Sequence, residues 1–223
     1  MKNVTVYGDS ILKGVLLENG RYKVNCEWEK RLSEGLGLEI RNRSRFGCTI
    51  RKAMDYIRRD SETQCSGEEY AVLELGGNDC DFHWEEIAAA PEKEHDCVTP
   101  PQVFRERYRE AVELVLGSGR TPVLMTLPPI HAERYLSFIC RNGLSRENIL
   151  RWLGDVDAIY RWQSMYSQMV EEIARGEGTR LVDLRGAFLR DGHAPEELLC
   201  ADGIHPSREG QNVIYRTLCR IAG

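Results

Sequence analysis

Three short stretches of this 223-residue chain join turn-forming residues to side chains that do acyl or proton chemistry. The first is Gly8-Asp9-Ser10, where Gly8 permits a tight turn and Ser10 offers a hydroxyl nucleophile. Alone, such a tripeptide is ordinary turn composition, because Asp and Ser side chains bond the backbone nearby. The second is Gly76-Gly77-Asn78-Asp79, also suited to a turn, whose Asn78 amide is a neutral donor able to hold a developing oxyanion. The third is Asp202-Gly203-Ile204-His205-Pro206. An Asp and a His three apart, with Gly between them, can fold back so that carboxylate meets imidazole. That contact fixes the ring tautomer and stabilises the imidazolium formed when His205 takes a proton. Histidine titrates near neutrality, as a general base must. Standing alone, the motif would read as a histidine capping a C-terminal helix.

The elements that must position these loops are legible in the hydrophobic pattern. β-Branched runs at Asn3–Tyr7, Tyr70–Leu75, Pro122–Leu127 and Arg180–Leu184 predict strands, and the more polar Leu38–Asn42 predicts an edge strand. Helix-period segments lie between them: Glu27–Leu36, Thr49–Arg58, Pro101–Leu116, Asp155–Ala174 and Ser207–Ile221. In the last of these, Val213, Ile214, Leu218 and Ile221 share one face. Alternating strands and helices imply right-handed βαβ units. The expected fold is therefore α/β, a flavodoxin-like three-layer α/β/α sandwich on a five-stranded parallel sheet. The first and second stretches then leave the C-terminal ends of strands, where open α/β sheets place their sites. The whole chain, 1–223, is expected to be a single domain with excursions near 80–100 and 127–154. Both follow strand ends and hold aromatic residues, among them Phe82, Trp84, Tyr135, Phe138 and Trp152, so each reads equally as a pocket wall or a plain surface loop.

Composition narrows the class. With 30 Lys and Arg against 35 Asp and Glu, the net charge is −5, which gives no electrostatic footprint for nucleic acid or an anionic membrane. A hydrophobic fraction of 42% is enough to build a core and excludes a disordered chain. No stretch is apolar and long enough for a secretory signal or a membrane span, so a cytoplasmic location is expected. The eight cysteines contain no Cys-x-x-Cys pair and read as reduced, largely buried thiols. Cys48, Cys80 and Cys200 fall near the candidate loops, and packing behind those loops is the simpler account of them. His83, beside Trp84, reads as a surface residue more readily than as one at a pocket mouth. No cluster of His, Asp and Glu has metal-ligand spacing, so no metal or other cofactor is expected.

Taken together, a hydroxyl at the first strand, donors in the middle and an Asp/His pair at the end resemble the SGNH hydrolases, also called GDSL esterases/lipases. The family's first block is matched by Gly8-Asp9-Ser10, with Ile11 where Leu is usual. Its second block is similar to Asn42-Arg43-Ser44-Arg45-Phe46-Gly47-Cys48-Thr49, which makes Gly47 the candidate oxyanion-hole glycine. The Gly-x-Asn-Asp block is Gly76 to Asp79, and the Asp-x-x-His-Pro block is Asp202 to Pro206. Each block is weak by itself, but four in order across residues 8 to 206 are specific. Gly76-Gly77-Asn78-Asp79 also resembles the Gly-Asn-His block of metallophosphoesterases, but that family's Asp-x-His and Gly-Asp-x-x-Asp partners are missing.

The resemblance implies roles residue by residue. Ser10 would be the nucleophile of an acyl-enzyme, His205 the base and then the acid, and Asp202 its orienter. The backbone N–H groups of Ser10 and Gly47 and the Asn78 amide would form the oxyanion hole. The implied activity is metal-independent hydrolysis of a small-molecule carboxylic ester, a short acyl or acetyl group on a sugar or other alcohol. A lysophospholipase or thioesterase would need an aliphatic groove for which the excursions hold few residues. An acyltransferase would use the same acyl-enzyme, and a non-catalytic binding module would have no chemical need for all four of Ser10, Asn78, Asp202 and His205.

Overall fold

The computed structural model describes residues 2–65 and 67–222. In chain order the elements are β1 (Lys2–Gly8), β2 (Val15–Glu18), β3 (Arg21–Val24), α1 (Glu27–Leu36), β4 (Leu38–Asn42), α2 (Ile50–Ser61), β5 (Glu69–Glu74), α3 (Trp84–Ala89), α4 (Pro101–Gly117), β6 (Thr121–Met125), α5 (Ala132–Cys140), α6 (Arg146–Leu153), α7 (Asp157–Gly176), β7 (Arg180–Val182), α8 (Leu184–Leu189), α9 (Pro195–Leu198) and α10 (Arg208–Ala222). Five strands form one all-parallel sheet in the order β4-β1-β5-β6-β7. This is the flavodoxin-like order, and it reverses direction between β1 and β5. The loops after those two strands therefore diverge onto opposite faces and leave a crevice at the C-terminal edge. Ser10 follows β1, and Asn78 follows β5.

Alternation along the strands sends side chains into two cores. Ala71 and Leu73 of β5 pack with Ile50 and Ile57 of α2, Phe104 and Tyr108 of α4, and Val170 and Ile173 of α7. Val72, between them, faces the opposite layer with Val6, Val123, Trp28 of α1, Leu184 of α8 and Ile214 of α10. Central strands covered on both faces carry continuous apolar runs. Edge strand β4 instead alternates buried and accessible positions. Local signals set the helix ends: the Thr49 side chain accepts from Lys52 N at 3.4 Å to start α2, and left-handed Gly37 ends α1. Val213 and Ile214 are buried and Leu218 packs against them, whereas the Ile221 side chain lies outside the described residues.

Three features add to the expectations drawn above, decide between them or depart from them. A β2–β3 hairpin follows the first loop, and its Asn19-Gly20 turn has positive φ at both residues. Asn-Gly is the favoured pair for such a turn, but all four positions of β3, Arg-Tyr-Lys-Val, are largely accessible, so no alternation betrays a strand. The 80–100 and 127–154 segments fold into α3, α5 and α6 over a third, smaller core that includes Trp84, Ile87, Leu136, Ile149 and Ile159. They are a packed cap rather than surface loops. The thiols are less buried than expected: Cys48, Cys80, Cys97 and Cys200 are buried, Cys26 is exposed, and all eight are free. No described helix is long and apolar enough to cross a membrane.

Candidate active site

Gly8 closes β1 where it runs opposite Glu74 of β5. A Cβ at Gly8 would lie 2.8 Å from Ser44 Oγ, so only glycine lets the second block pass this close to the strand end. Asp9 then turns the chain: its Oδ1 accepts from Ile11 N at 2.8 Å, and its carbonyl accepts from Lys13 N at 3.0 Å. This compact turn holds Ser10 at the sheet rim. At the other end of the chain, Asp202 Oδ1 accepts from Ile204 N at 3.2 Å and from His205 N at 3.1 Å, while Oδ2 pairs with His205 Nδ1 at 2.7 Å. Gly203 makes the turn possible with φ of +75°. A Cβ there would also lie 2.6 Å from the His131 carbonyl oxygen and 2.8 Å from Tyr135 N. The turn is pinned on both sides, because His131 N donates to Gly203 O at 2.8 Å and Cys200 N to His205 O at 2.8 Å.

These two turns meet. His205 Nε2 lies 2.9 Å from Ser10 Oγ across 195 residues of sequence, and Ser10, His205 and Asp202 are all buried. Burial pushes the Asp202 carboxyl up, but the His205 hydrogen bond and charge and the His205 and Ile204 N–H groups outweigh it and hold it below its ordinary value. An ionised Asp202 accepts the Nδ1–H, which leaves the Nε2 lone pair to accept from the Ser10 hydroxyl. Two aromatic rings enclose the imidazole. Tyr22 of the β2–β3 hairpin sits edge-on at 5.1 Å, and Phe46 stacks at 5.8 Å. Burial and the Asp202 charge push the Tyr22 hydroxyl up to about 12, so it stays protonated.

Asn78 lines the same cavity as Ser10 and His205, and its Nδ2 donates one hydrogen to Asp9 Oδ2 at 3.0 Å. That bond fixes which way the amide points and leaves its second hydrogen for a ligand. Gly47 is in the left-handed region beside Phe46, but it is not among the residues lining the cavity. The Ser10 and Gly47 backbone N–H groups make no hydrogen bond among the described residues. Beneath them lie three buried carboxyls. Burial pushes Asp9 up to about 6 and Asp79 to about 7, and burial together with the Asp9 charge raises Glu74 well above its ordinary value. Both effects favour the neutral form of Glu74, and Asp9 accepts from Asn78. Asp79 serves the scaffold, its two oxygens accepting from Ile50 N at 3.1 and 3.0 Å at the start of α2.

Asp81 and Tyr22 are groups that sequence patterns did not single out. Asp81 lines the cavity, and its Oδ1 accepts from Tyr135 OH at 2.7 Å and Trp84 Nε1 at 2.8 Å. Trp162 of α7 lines it too, donating to Cys80 O at 2.8 Å. The available signals were the position of Asp81 two residues past Asp79 and the Asn19-Gly20 turn ahead of Tyr22. His83 is exposed and does not line the cavity. Cys48 and Cys200 are buried and do not line the cavity, whereas Cys80, also buried, does. One metal-type grouping that sequence spacing did not suggest exists among the described residues, Asp191, His193 and Glu209, brought together by α10. Arg216 bridges its two carboxylates at 2.6 and 3.2 Å.

An α/β sandwich with a Ser–His–Asp hydrogen-bond chain at its switch point has the architecture of a hydrolase. The chain belongs to the GDSL-like lipase/acylhydrolase family, whose model matches residues 6–213. No curated protein sequence matches it. Among solved structures it is similar to a lipase/acylhydrolase from Enterococcus faecalis (17% identity, TM-score 0.64, 99% of this chain and 95% of that one). It is also similar to a G-D-S-L family lipolytic protein from Veillonella parvula (14%, 0.66, 99% and 98%) and to an acetylxylan esterase from Geobacillus stearothermophilus (19%, 0.66, 99% and 94%). At these identities the likeness is one of fold, and the family supports ester hydrolysis in general.

The Gly203 turn yields a direct test. Gly203→Ala combines left-handed strain with overlap against the His131–Tyr135 backbone, and should cost at least about 2 kcal/mol of stability. Urea denaturation should show this as a lower midpoint. An unchanged midpoint would contradict the tight packing of this turn.

Proposed function

We propose that this protein is a metal-independent serine esterase that removes a short acyl group from a sugar or other alcohol through an acyl-enzyme. The observation that carries this reading is the unbroken chain from Ser10 Oγ through His205 to Asp202, at 2.9 and 2.7 Å, opening on the cavity that Asn78 also lines. Ser10 Oγ attacks the ester carbonyl carbon and its proton passes to His205 Nε2. The new oxyanion takes hydrogen bonds from the Ser10 and Gly47 N–H groups and the free Asn78 amide hydrogen. Collapse expels the alcohol, which leaves with the proton that His205 returns. Water then repeats the sequence on the acyl-enzyme, with His205 first base and then acid. Asp202 stays ionised throughout and steadies the imidazolium.

Cavity size supports a short acyl group. The space beside Ser10 amounts to about 100 Å³, against roughly 10–15 Å³ for one water on the same kind of measure. A short acyl group fits this space. The acetylxylan esterase among the structural relatives makes acetyl the first acyl group to try.

A fluorophosphonate should add one phosphonyl group per chain, on the peptide containing Ser10, and Ser10→Ala should abolish both labelling and p-nitrophenyl acetate hydrolysis. Exhaustive dialysis against EDTA should change neither. Labelling that moves to another serine in the variant would overturn the assignment.

Asp202→Asn should lower kcat at least about tenfold with little change in KM, because the amide favours the wrong imidazole tautomer. His205→Ala should be worse, since it removes the proton acceptor. A fully active Asp202→Asn beside a dead His205→Ala would reduce the arrangement to a Ser–His dyad.

A further inference from the structure

The cavity beside Ser10 has an unusual inventory of hydrogen-bonding groups. Its cap side is aromatic: Phe82 lies 5.5 Å from Trp84 and 5.4 Å from Trp162, and Trp84 lies 6.2 Å from Tyr135, ring centre to ring centre. Most of the side-chain donors on these walls are engaged by the protein. Trp84 Nε1 and the Tyr135 hydroxyl donate to Asp81, Trp162 Nε1 donates to Cys80 O, and Gln163 Nε2 donates to Pro128 O at 2.8 Å. The Gln163 oxygen is in turn taken by Arg185 at 2.7 Å. One Gln163 amide hydrogen is left beside the oxyanion-hole donors and the Ser10–His205 pair, which serve the ester carbonyl.

Acceptors, by contrast, are left over. Asp81 is held through one oxygen by two neutral donors and makes no salt bridge among the described residues. Glu74, fully buried on the same cavity, makes no hydrogen bond of normal geometry through either carboxyl oxygen, but burial and the Asp9 charge favour its neutral form, so Asp81 is the carboxylate that faces the space with capacity to spare. No Lys or Arg lines the space. A carboxylate drawn into an apolar, half-buried site without a counter-ion is costly unless a ligand supplies the positive charge.

We infer that this cavity takes an ester carrying an ammonium group, seated against the Asp81 carboxylate inside the box of Phe82, Trp84, Tyr135 and Trp162. This rests on the esterase reading and narrows its substrate class. A sugar hydroxyl both donates and accepts, and a wall with few free donors leaves much of the accepting half unmatched. An ammonium ion accepts nothing, so the same wall satisfies it completely. The aromatic faces add cation–π attraction, which strengthens in a site shielded from water. The bound cation also favours the ionised form of Asp81. Anionic esters are excluded by the same charges.

Tetramethylammonium chloride is the probe, with neopentyl alcohol as its neutral counterpart of similar size and sodium chloride holding ionic strength constant. In the wild-type protein, tetramethylammonium should inhibit p-nitrophenyl acetate hydrolysis competitively at least tenfold more strongly than neopentyl alcohol does. It should also perturb tryptophan fluorescence with the same midpoint, in Ser10→Ala as well as in the wild type. Asp81→Asn should weaken that binding at least tenfold. Equal inhibition by the two compounds, or no saturable fluorescence change, would overturn the ammonium site while leaving the esterase reading intact. Failure to turn over p-nitrophenyl acetate alongside saturable fluorescence binding would overturn the esterase reading instead.

Discussion

The hydrogen bond between Asp202 and His205 is the contact on which the rest of the structure depends. It joins residues three apart, so it forms only if the intervening chain reverses within one turn, and the left-handed Gly203 makes that reversal possible. Burial alone would neutralise the carboxyl. The imidazole and two backbone N–H groups together keep it ionised. An ionised Asp202 then decides which ring nitrogen carries the proton, and so decides that Nε2 faces Ser10 as an acceptor. The Cys200 and His131 hydrogen bonds and the Tyr22 and Phe46 rings hold this turn in place.

The scaffold brings Ser10 to that ring at a cost. The parallel sheet reverses its order between β1 and β5, so the Ser10 and Asn78 loops open a crevice, and three carboxyls are buried beneath it. Asp9 and Asp79 have folded-state values near 6 and 7, above their ordinary 3.8. Such groups bind protons more tightly when folded, so their contribution is most favourable below pH 3.8 and is lost as pH rises toward 6 or 7. These carboxyls therefore weaken the fold at neutral pH. What they supply in return is orientation: Asp9 points the Asn78 amide, and Asp79 anchors the start of α2.

Much of this was legible in the residues. Five strands and five helices declare themselves because the sheet is covered on both faces, which gives long apolar runs and clear helical stripes. The loop motifs point to Ser10, His205 and Asp202, which the fold joins in one hydrogen-bond chain. Less was visible where structure depends on contact at a distance. The β2–β3 hairpin leaves one strand largely accessible and shows only its Asn19-Gly20 turn. The cap helices are short, and their core is shared among segments far apart in sequence, so no single segment shows the period of a buried face. Asp81 is an ordinary acidic residue in the sequence; only the fold brings Tyr135 and Trp84 to it. The Asp191, His193 and Glu209 grouping likewise exists only because α10 returns beside that loop.

The account rests on one proton in one place: on His205 Nδ1, directed at Asp202. Nitrogen-15 NMR of protein labelled at histidine, with Asp202→Asn as the assignment control, reads that placement directly. At neutral pH the account predicts a protonated Nδ1, with a proton resonance shifted far downfield by the carboxylate, and an unprotonated Nε2. A neutral His205 carrying its proton on Nε2, or exchanging freely between the two nitrogens, would contradict it.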